Sequence, residues 1–330
     1  MKALAIENYG KKPNFLDFPM PKINNDEVLV EIYAASINPL DTKIRKGELK
    51  LLLKYKMPLI LGNDFSGKIV EVGTSVTKFK VGDEVYGRPR ANKMGTFTEY
   101  LSVNQEDIAL KPKNLSFEEA ASIPLVGLTS YQALHDILRI EKGYKILIHA
   151  GSGGVGTFAI QLAKHMGAFV ATTASDGADL ARSLGADEVI NYNEQNFEKI
   201  IHGYDAVIDS IGGETLERSF STVKKDGKVV SISGIPNERF AKENNLGKMK
   251  AILFKLASLK LKKLEKEHSV KYTFLFMKHS GHQLEILTDL LEQKNIEPTI
   301  DKVFGFEDSI KALEYSETGK AKGKIVIKIK

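Results

Sequence analysis

The feature that most constrains the fold is a series of short apolar strands, each followed by an apolar-periodic helix, over residues 122–240. The series runs through YKILIHA and GVGTFAIQLAKHMG, AFVATTAS and GADLARSLG, EVINY and EQNFEKIIHG, YDAVIDSIGG and ETLERSFSTVKKDG, and ends with KVVSISG. Strands that are apolar on both faces and alternate with helices are typical of a parallel sheet covered on both sides. The sequence therefore predicts an α/β domain with a doubly wound parallel sheet.

The first strand of this series is joined to its helix by glycines with the spacing G-x-G-x-x-G. The spacing alone is weak evidence in a chain with 27 glycines, but its place between a strand and a helix makes it specific. In that setting the first glycine makes a tight turn, the second lets the backbone approach a pyrophosphate, and the third lets helix and strand pack closely. We therefore predict a Rossmann dinucleotide-binding loop formed by Gly151, Ser152, Gly153, Gly154, Val155 and Gly156.

The end of the second strand predicts which dinucleotide binds. An NAD site has an acidic residue there that holds the ribose 2′-hydroxyl. Here the strand ends in small neutral residues, and Ser175 could donate a hydrogen bond to a 2′-phosphate, which favours NADPH. Asp176 would favour NAD if its side chain pointed inward, and we otherwise interpret it as a helix N-cap. Arg182 is the cation nearest to this strand end in the sequence.

The first third of the chain is rich in predicted strands. The runs KALAIENY, EVLVEIYAASI, SGKIVEVG and DEVYGR are separated by Pro, Gly and Asn, which predicts a small barrel or sandwich. Ser116 and Glu119 then form the capping-box signature of a helix start. We predict domains at residues 1–121 and 122–258, with residues 259–330 returning to the first domain.

Composition and charge limit the class of protein. The net charge of +5 is too small to indicate nucleic-acid binding. Because the chain has no cysteine, disulfides, thiolate catalysis and cysteine-bound zinc are excluded. The N-terminal residues MKALAIENYG lack the layout of a signal peptide, and no apolar run reaches the roughly 18 to 20 residues of a membrane span. We therefore expect a cytoplasmic protein.

One segment carries most of the excess positive charge. Residues 242–266 include eight lysines, and apolar residues recur among them at helical spacing. We interpret residues 246–268 as a basic amphipathic surface helix that covers the barrel or the mouth of the cleft. Contact with a membrane surface and a lid over the active site are the alternatives.

These motifs, taken in order, resemble the medium-chain dehydrogenase/reductase superfamily over essentially the whole chain. The segments INPLDTKIRKG, LGNDFSGKIVEVG, VGDEVYG, GTFTEY, AGSGGVGTFAIQLAK, LGADEVINY and DSIGG are similar to its zinc-independent quinone oxidoreductase-like group, which includes NADPH-dependent quinone and alkenal/one reductases. The resemblance implies a GroES-like β-barrel domain beside the Rossmann domain, and a homodimer.

The superfamily's zinc alcohol dehydrogenases differ from this chain in two segments that bind zinc. Asn38 stands where they have a cysteine ligand, and Gly62, Asn63 and Asp64 stand where they have Gly-His-Glu. Asparagine is a poor zinc ligand, and the seven histidines lack the spacing of a metal site. We therefore predict no metal site, and hydride transfer to an acceptor that is already electrophilic, such as a quinone or an α,β-unsaturated carbonyl.

The resemblance also implies further site residues. Asn38 would orient cofactor or substrate, with Lys43 or Arg45 adding positive potential, unless these two cations lie on a solvated helix face. Asp41 is interpreted as a local cap or an ion-pair partner, and water is left as the proton source. Phe274 and Phe276 would approach the nicotinamide or pack at a dimer seam. The other positions implied for the cofactor are Thr129, Tyr192, Ser210, Ser233 and Gly234.

The sequence thus predicts a zinc-independent, NADPH-dependent oxidoreductase with a small-molecule quinone or enone substrate and no nucleic-acid partner. A non-enzymatic NADPH-binding sensor or scaffold is an alternative, because a fold does not fix a function. Reduction of an enoyl thioester, whose anionic carrier the lysine-rich segment could hold, is another.

Overall fold

The computed structural model describes all 330 residues, and its internal contacts divide the chain into two units. The first unit comprises Met1–Leu128 and Lys278–Lys330, and the second comprises Thr129–Met277. The sequence predicted that the second domain ends at residue 258. The structure instead keeps residues 259–277 with the second unit, because this segment supplies a further strand to that unit's sheet.

The first unit is β-rich, as predicted. Its strands are β1 (Lys2–Ile6), β2 (Asn14–Asp17), β3 (Glu27–Ile37), β4 (Leu59–Ile60), β5 (Asp64–Val72), β6 (Glu84–Gly87), β7 (Tyr100–Asn104), β8 (Ile108–Leu110), β15 (Ile300–Gly305) and β16 (Lys324–Lys328). One sheet has the order β2–β1–β4, and the other has the order β15–β16–β3–β5–β6–β8, with β7 also paired to β3. All neighbours are antiparallel except β15 and β16.

Short helices connect these strands. They are α1 (Pro39–Lys46), α2 (Phe117–Ala121), α10 (Gly281–Glu292) and α11 (Ser309–Glu317), while α3 (Pro124–Tyr131) crosses the boundary between the units. The predicted capping box at the start of α2 is confirmed. Glu119 N–H donates to Ser116 Oγ (3.2 Å), and Ser116 N–H donates to Glu119 Oε2 (2.8 Å).

The second unit contains a six-stranded sheet in which every neighbouring pair is parallel. The strands are β9 (Lys145–Ile148), β10 (Phe169–Ala174), β11 (Glu188–Asn191), β12 (Tyr204–Asp209), β13 (Val223–Ser231) and β14 (Lys271–Phe274). Their order is β11–β10–β9–β12–β13–β14. From β9 the chain adds β10 and β11 on one side and then crosses back to add β12, β13 and β14 on the other, so the order of strand addition reverses beside β9. This confirms the Rossmann-type sheet, whose ligands bind outside the carboxyl ends of the strands at such a reversal.

The helices of the second unit include two departures from the sequence prediction. They are α4 (Gly154–His165), α5 (Ala178–Ser183), α6 (Gly213–Ser219), α7 (Glu238–Glu243), α8 (Lys248–Ala257) and α9 (Leu259–His268), with a π-helical turn at Gln132–Leu138. The helix predicted for residues 194–203 is only a 3₁₀ turn at Phe197–Lys199, in a segment where asparagines favour turns over helix. The lysine-rich segment forms two helices instead of one, divided at Ser258, whose hydroxyl donates to the carbonyl of Phe254 (2.6 Å).

Candidate active site

The glycine loop joins β9 to α4, and two of its glycines are required by packing. A Cβ on Gly156 would lie 2.2 Å from the carbonyl oxygen of Ala150, and one on Gly151 would lie 2.2 Å from Thr172 Oγ1. For Gly156 this is the close helix–strand packing that the sequence predicts. Gly153 differs, because it is the N-cap of α4 at φ −81° and its Cβ would meet nothing closer than 3.4 Å. The space beside Gly153 is therefore left for something other than the chain itself.

The first turn of α4 presents backbone donors at this loop. The first amide that donates within the helix is that of Thr157, to the carbonyl of Gly153 (2.9 Å). The amides of Gly154, Val155 and Gly156 precede it and have no acceptor inside the helix. Such amides at a helix N-terminus bind phosphate, so the loop has the donors that a pyrophosphate requires.

Two hydroxyls meet at the ends of β10 and β11. Ser175 Oγ donates to Tyr192 Oη (2.7 Å), and Tyr192 is 57% exposed. Asp176 is exposed, and α5 begins at Ala178 with Gly177 as its N-cap. The interpretation of Asp176 as an N-cap is therefore wrong, because the backbone turn places the glycine at that position. Arg182 pairs with Asp179 (2.9 Å).

Further predicted residues lie at the carboxyl ends of β12 and β13. Ser210 Oγ donates to the carbonyl of His149 (3.2 Å), and Ser233 Oγ donates to the carbonyl of Ser210 (2.9 Å). Gly234 N–H donates to Ser231 Oγ (2.7 Å). These bonds hold the loops after β9, β12 and β13 together at the edge of the sheet where ligands bind in this fold.

The predicted aromatic residues pack within the second unit. The ring centroid of Phe240, on α7, lies 5.1 Å from that of Phe274 and 6.3 Å from that of Phe276, both edge to face. Thr129, at the start of this unit, is buried. An approach of Phe276 or Thr129 to the nicotinamide stays a prediction.

In the first unit, Asn38 is part of a buried polar network. Its Oδ1 accepts from Lys324 Nζ (2.5 Å), and its Nδ2 donates to Asp64 Oδ2 (2.8 Å). Asp41 accepts from the backbone N–H of Asn38 (2.7 Å) and from Asn63 Nδ2 (2.7 Å), so the prediction that it is a local cap is confirmed. Because Lys324 fixes one end of the Asn38 amide and Asp64 the other, the side chain is held in one orientation.

The Asp41 carboxyl is fully buried, and burial shifts its pKa. Burial raises the pKa of Asp41 to about 7, against the hydrogen bonds from Asn38 and Asn63, and the charge of Asp64 acts in the same direction as burial. Between the unfolded pKa near 3.8 and a folded value near 7, the native state holds more protons than the unfolded state. The contribution of Asp41 to stability is therefore lost as the pH rises through this window.

We expect Asp41→Asn to remove that pH dependence. The variant should be tolerated, because Asn63 Oδ1 has no partner and can accept from the new amide if the Asn63 side chain flips. The free energy of unfolding, measured by urea denaturation between pH 4 and pH 8, should fall less steeply with pH in the variant. Equal slopes in the two proteins would show that Asp41 titrates normally.

The two cations of α1 have different environments. Arg45 pairs with Glu317 (2.5 Å) of α11, so it is a structural ion pair in this chain. Lys43 is half-buried and makes no ion pair. Of the two predicted sources of positive potential, Lys43 is therefore the one whose charge remains uncompensated.

The structure also reveals a cation that the sequence does not single out. Arg88 follows β6 and is 2% exposed, yet no carboxylate lies within 4 Å of its nitrogens and its Nε donates no hydrogen bond. The strand register places it alongside Asp64, since Phe65 pairs with Gly87. Asp64 is already engaged by Lys324 (3.2 Å), so Arg88 has no counter-charge of its own. Burial lowers the pKa of Arg88, opposed mainly by the charge of Asp64.

Other polar atoms of this unit lack partners as well. Tyr55 Oη, Asn63 Oδ1 and Thr96 Oγ1 are buried without a hydrogen bond. Tyr55 and Arg88 interact electrostatically, and burial raises the pKa of the Tyr55 hydroxyl, so it stays protonated and can donate. Unpartnered buried polar groups are rare in folded proteins. These three atoms and Arg88 Nε are therefore the candidate contacts for a ligand in the first unit.

The residues at the superfamily's zinc positions form no metal-binding cluster. No group of three or more His, Cys, Asp or Glu side chains could hold a metal ion, and Asn38 and Asn63 each use their amide nitrogen in the network described above. His149 is a buried core residue. Its ring nitrogens lie 3.1 Å from Thr173 Oγ1 and 2.9 Å from Ser219 Oγ, and burial lowers its pKa to about 3.

Comparison with known proteins gives matches over nearly the whole chain. A family model described as an alcohol dehydrogenase GroES-like domain matches residues 24–113, and one described as a zinc-binding dehydrogenase matches residues 184–327. The 2-methylene-furan-3-one reductase of Solanum lycopersicum is 36% identical over 99% of this chain and 79% of its own length. The chloroplastic NADPH-dependent alkenal/one oxidoreductase of Arabidopsis thaliana is 33% identical over 99% of this chain and 79% of its own length. The quinone oxidoreductase from Coxiella burnetii superposes with a TM-score of 0.85 at 32% identity, covering 100% of this chain and 99% of that structure.

Proposed function

Because the chain belongs to the medium-chain dehydrogenase/reductase superfamily, in its quinone oxidoreductase and alkenal reductase-like branch, we propose that it reduces quinones or α,β-unsaturated carbonyls with NADPH. The observation that carries this is the glycine loop, which combines free amides at the start of α4 with open space at Gly153. NADPH, when bound, supplies a hydride. The residues that would hold it are the loop from Gly151 to Gly156 and the hydroxyls of Ser175 and Tyr192.

We assign the acceptor's oxygen to the unpartnered groups of the first unit. Hydride addition to a conjugated acceptor places negative charge on its carbonyl oxygen. A guanidinium without a counter-ion in a buried, low-dielectric site stabilises such charge more than one that is already paired. Arg88 supplies that cation, and Tyr55 Oη supplies a second donor. Asn38, held by Lys324 and Asp64, and Lys43 complete the site, with water as the proton source.

The function is tested by stopped-flow measurement of NADPH fluorescence with a panel of quinones and 2-alkenals. Oxidation of NADPH on mixing with at least one acceptor class is the expected result. Tight NADPH binding with no oxidation by any acceptor would favour the sensor or scaffold alternative instead.

We expect Ser175→Asp to weaken NADPH relative to NADH. The new carboxylate would repel a 2′-phosphate and accept from a ribose 2′-hydroxyl. The ratio of kcat/KM for NADPH to that for NADH should fall by about tenfold or more, since 1.4 kcal/mol is a factor of ten. Ser183→Asp, which adds the same charge at an exposed position of α5, is the control and should leave the ratio unchanged. An unchanged ratio in Ser175→Asp would place the 2′-phosphate elsewhere.

Three further properties belong to the proposal. Zinc independence is supported by the amides at positions 38 and 63 and by the absence of cysteine. A homodimer is supported by β14, which lies at the edge of the six-stranded sheet and leaves one side open for pairing. A cytoplasmic location is supported by the lack of cysteine. None of the helices is both long and apolar enough to cross a membrane.

A further inference from the structure

The outer face of α8 is apolar, although it is exposed. Met249 is 85% exposed, Ile252 60%, Leu253 46% and Leu256 60%, and Leu259, at the start of α9, is 53% exposed. Their spacing of three and four residues places them on one side of the helix, where a surface helix normally carries polar residues. We call these five residues the apolar stripe. Contiguous exposed apolar surface of this kind marks an interaction site.

The opposite face of the helix pair anchors it to the second unit. Phe254 is 6% exposed and its ring lies 6.4 Å from that of Phe240 on α7, while Leu261 of α9 is buried in the core of the sheet. The segment is therefore apolar on its inner face and again on its outer face. The inner face accounts for the folding of the helices, and the apolar stripe has no role in the fold.

The charge around the apolar stripe has a single sign. Between Glu243 and Glu265 there is no acidic residue, whereas there are lysines at positions 248, 250, 255, 260, 262 and 263. Lys248, Lys250 and Lys263 make no ion pair, so their charges are not neutralised by the chain. Lys255 and Lys260 pair with Glu238 and Glu217, so it is the unpaired lysines that favour a negatively charged and apolar surface on this face.

A cavity of about 310 Å³ lies between α7, α8, α9 and β14, and the buried side chains of Leu261 and Tyr272 are among its lining residues. Four cations and the carboxylates of Glu238 and Glu265 line it, and these carboxylates pair with three of the cations at 2.7–3.9 Å. The cationic residues are Arg239, Lys242, Lys255 and Lys262. The remaining cation, Lys262, is exposed and makes no ion pair, so its charge adds to that of Lys248, Lys250 and Lys263. Uncompensated positive charge on the segment that carries the apolar stripe matches a phospholipid surface, which has anionic headgroups next to acyl chains.

We propose that α8 and α9 dock this protein on the surface of an anionic lipid bilayer, with the apolar stripe in the boundary between headgroups and acyl chains and the lysines on the headgroups. A basic amphipathic helix of this kind lies in the plane of the interface and does not span it. A second copy of the chain is a poor occupant, since a symmetric contact would bring two uncompensated lysine clusters together. This inference does not depend on the proposed enzymatic function.

The test is co-sedimentation of the full chain with phosphatidylcholine vesicles that contain or lack phosphatidylglycerol. We expect at least about tenfold stronger binding to the anionic vesicles, and weaker binding as salt is added. Ile252→Ser with Leu256→Ser should reduce binding to the anionic vesicles by about tenfold or more, as should Lys248→Glu with Lys263→Glu. The matched control is Val81→Ser with Val303→Ser, which removes apolar residues of similar exposure in the first unit and should bind like the unmodified chain.

Two results would overturn the proposal. Equal binding to the two kinds of vesicle would exclude recognition of anionic lipid. The second result would come from sedimentation velocity without lipid. If Ile252→Ser with Leu256→Ser converted an oligomer to a monomer, and the unmodified chain bound no vesicles, the apolar stripe would be assigned to a second copy of the chain. All of the substituted residues are exposed, so the variants should fold, and circular dichroism will check this.

Discussion

Gly153→Val should remove NADPH binding and leave the fold intact. Gly153 has φ −81° and ψ 170°, which valine adopts readily, and its Cβ would have no neighbour closer than 3.4 Å. The new side chain would fill the space that the loop keeps for a pyrophosphate. The dissociation constant for NADPH, measured by fluorescence titration, should rise at least 100-fold, which corresponds to about 2.7 kcal/mol. The melting temperature should change by no more than about 2–4 °C, the effect of roughly 1 kcal/mol in a chain of moderate size.

Gly156→Ala is the contrasting variant. Its Cβ would lie 2.2 Å from the backbone oxygen of Ala150, so the helix must move away from the strand. We expect a clearly lower melting temperature for this variant, even without cofactor. If Gly153→Val bound NADPH as tightly as the unmodified chain, the space beside Gly153 would not be the pyrophosphate site.

Arg88→Met should stabilise the protein and impair its activity. Methionine removes a buried charge that has no ion-pair partner, and well-packed apolar replacements of buried ionic groups raise the free energy of unfolding by up to about 1–4 kcal/mol. A charged hydrogen bond to the acceptor oxygen is worth about 1.5–3 kcal/mol, so kcat/KM for quinones and enones should fall by roughly 10- to 100-fold. Urea denaturation and steady-state kinetics measure the two effects.

Arg90→Met, two residues away, should have the opposite effects, with lower stability and unchanged activity. Arg90 makes a bidentate pair with Asp107 (2.9 Å for each bond), and Asp107 is 1% exposed. Its loss leaves the buried carboxylate with the backbone N–H of residue 90 (3.1 Å) and with His279 at 3.6 Å, but without its cation, and should lower stability. At a temperature where the variant is folded, kcat/KM should be unchanged. Unchanged kcat/KM in Arg88→Met, or a loss of stability there, would make Arg88 a structural residue.

The cofactor loop could be predicted from the sequence because its determinants are local. The glycine spacing lies within six residues, and the adjoining strand and helix each have their own apolar pattern. The buried network could not be predicted in the same way. Asn38 was identified from a resemblance, but its orientation depends on Lys324, which lies on the last strand and is brought to Asn38 only by the pairing of β16 with β3.

Arg88 and Tyr55 were missed for a related reason. In the sequence, Arg88 is one of two arginines in the segment GRPRANK, and nothing local distinguishes it from Arg90. Only the fold shows that Arg90 has a carboxylate partner and Arg88 has none. The extent of the second unit was missed because the strand VKYTFLFM has no local pattern that indicates which sheet it joins.

Hydride transfer to a conjugated acceptor without a metal is tested most directly with NADPH that carries deuterium in both positions at C4 of the nicotinamide. The protein is first dialysed against a chelator and then incubated with this NADPH and an α,β-unsaturated ketone, and the product is examined by mass spectrometry and NMR. We predict a saturated ketone with deuterium on the carbon β to the carbonyl, at a rate that added zinc does not increase. A product without deuterium, or turnover that appears only when zinc is restored, would contradict the account.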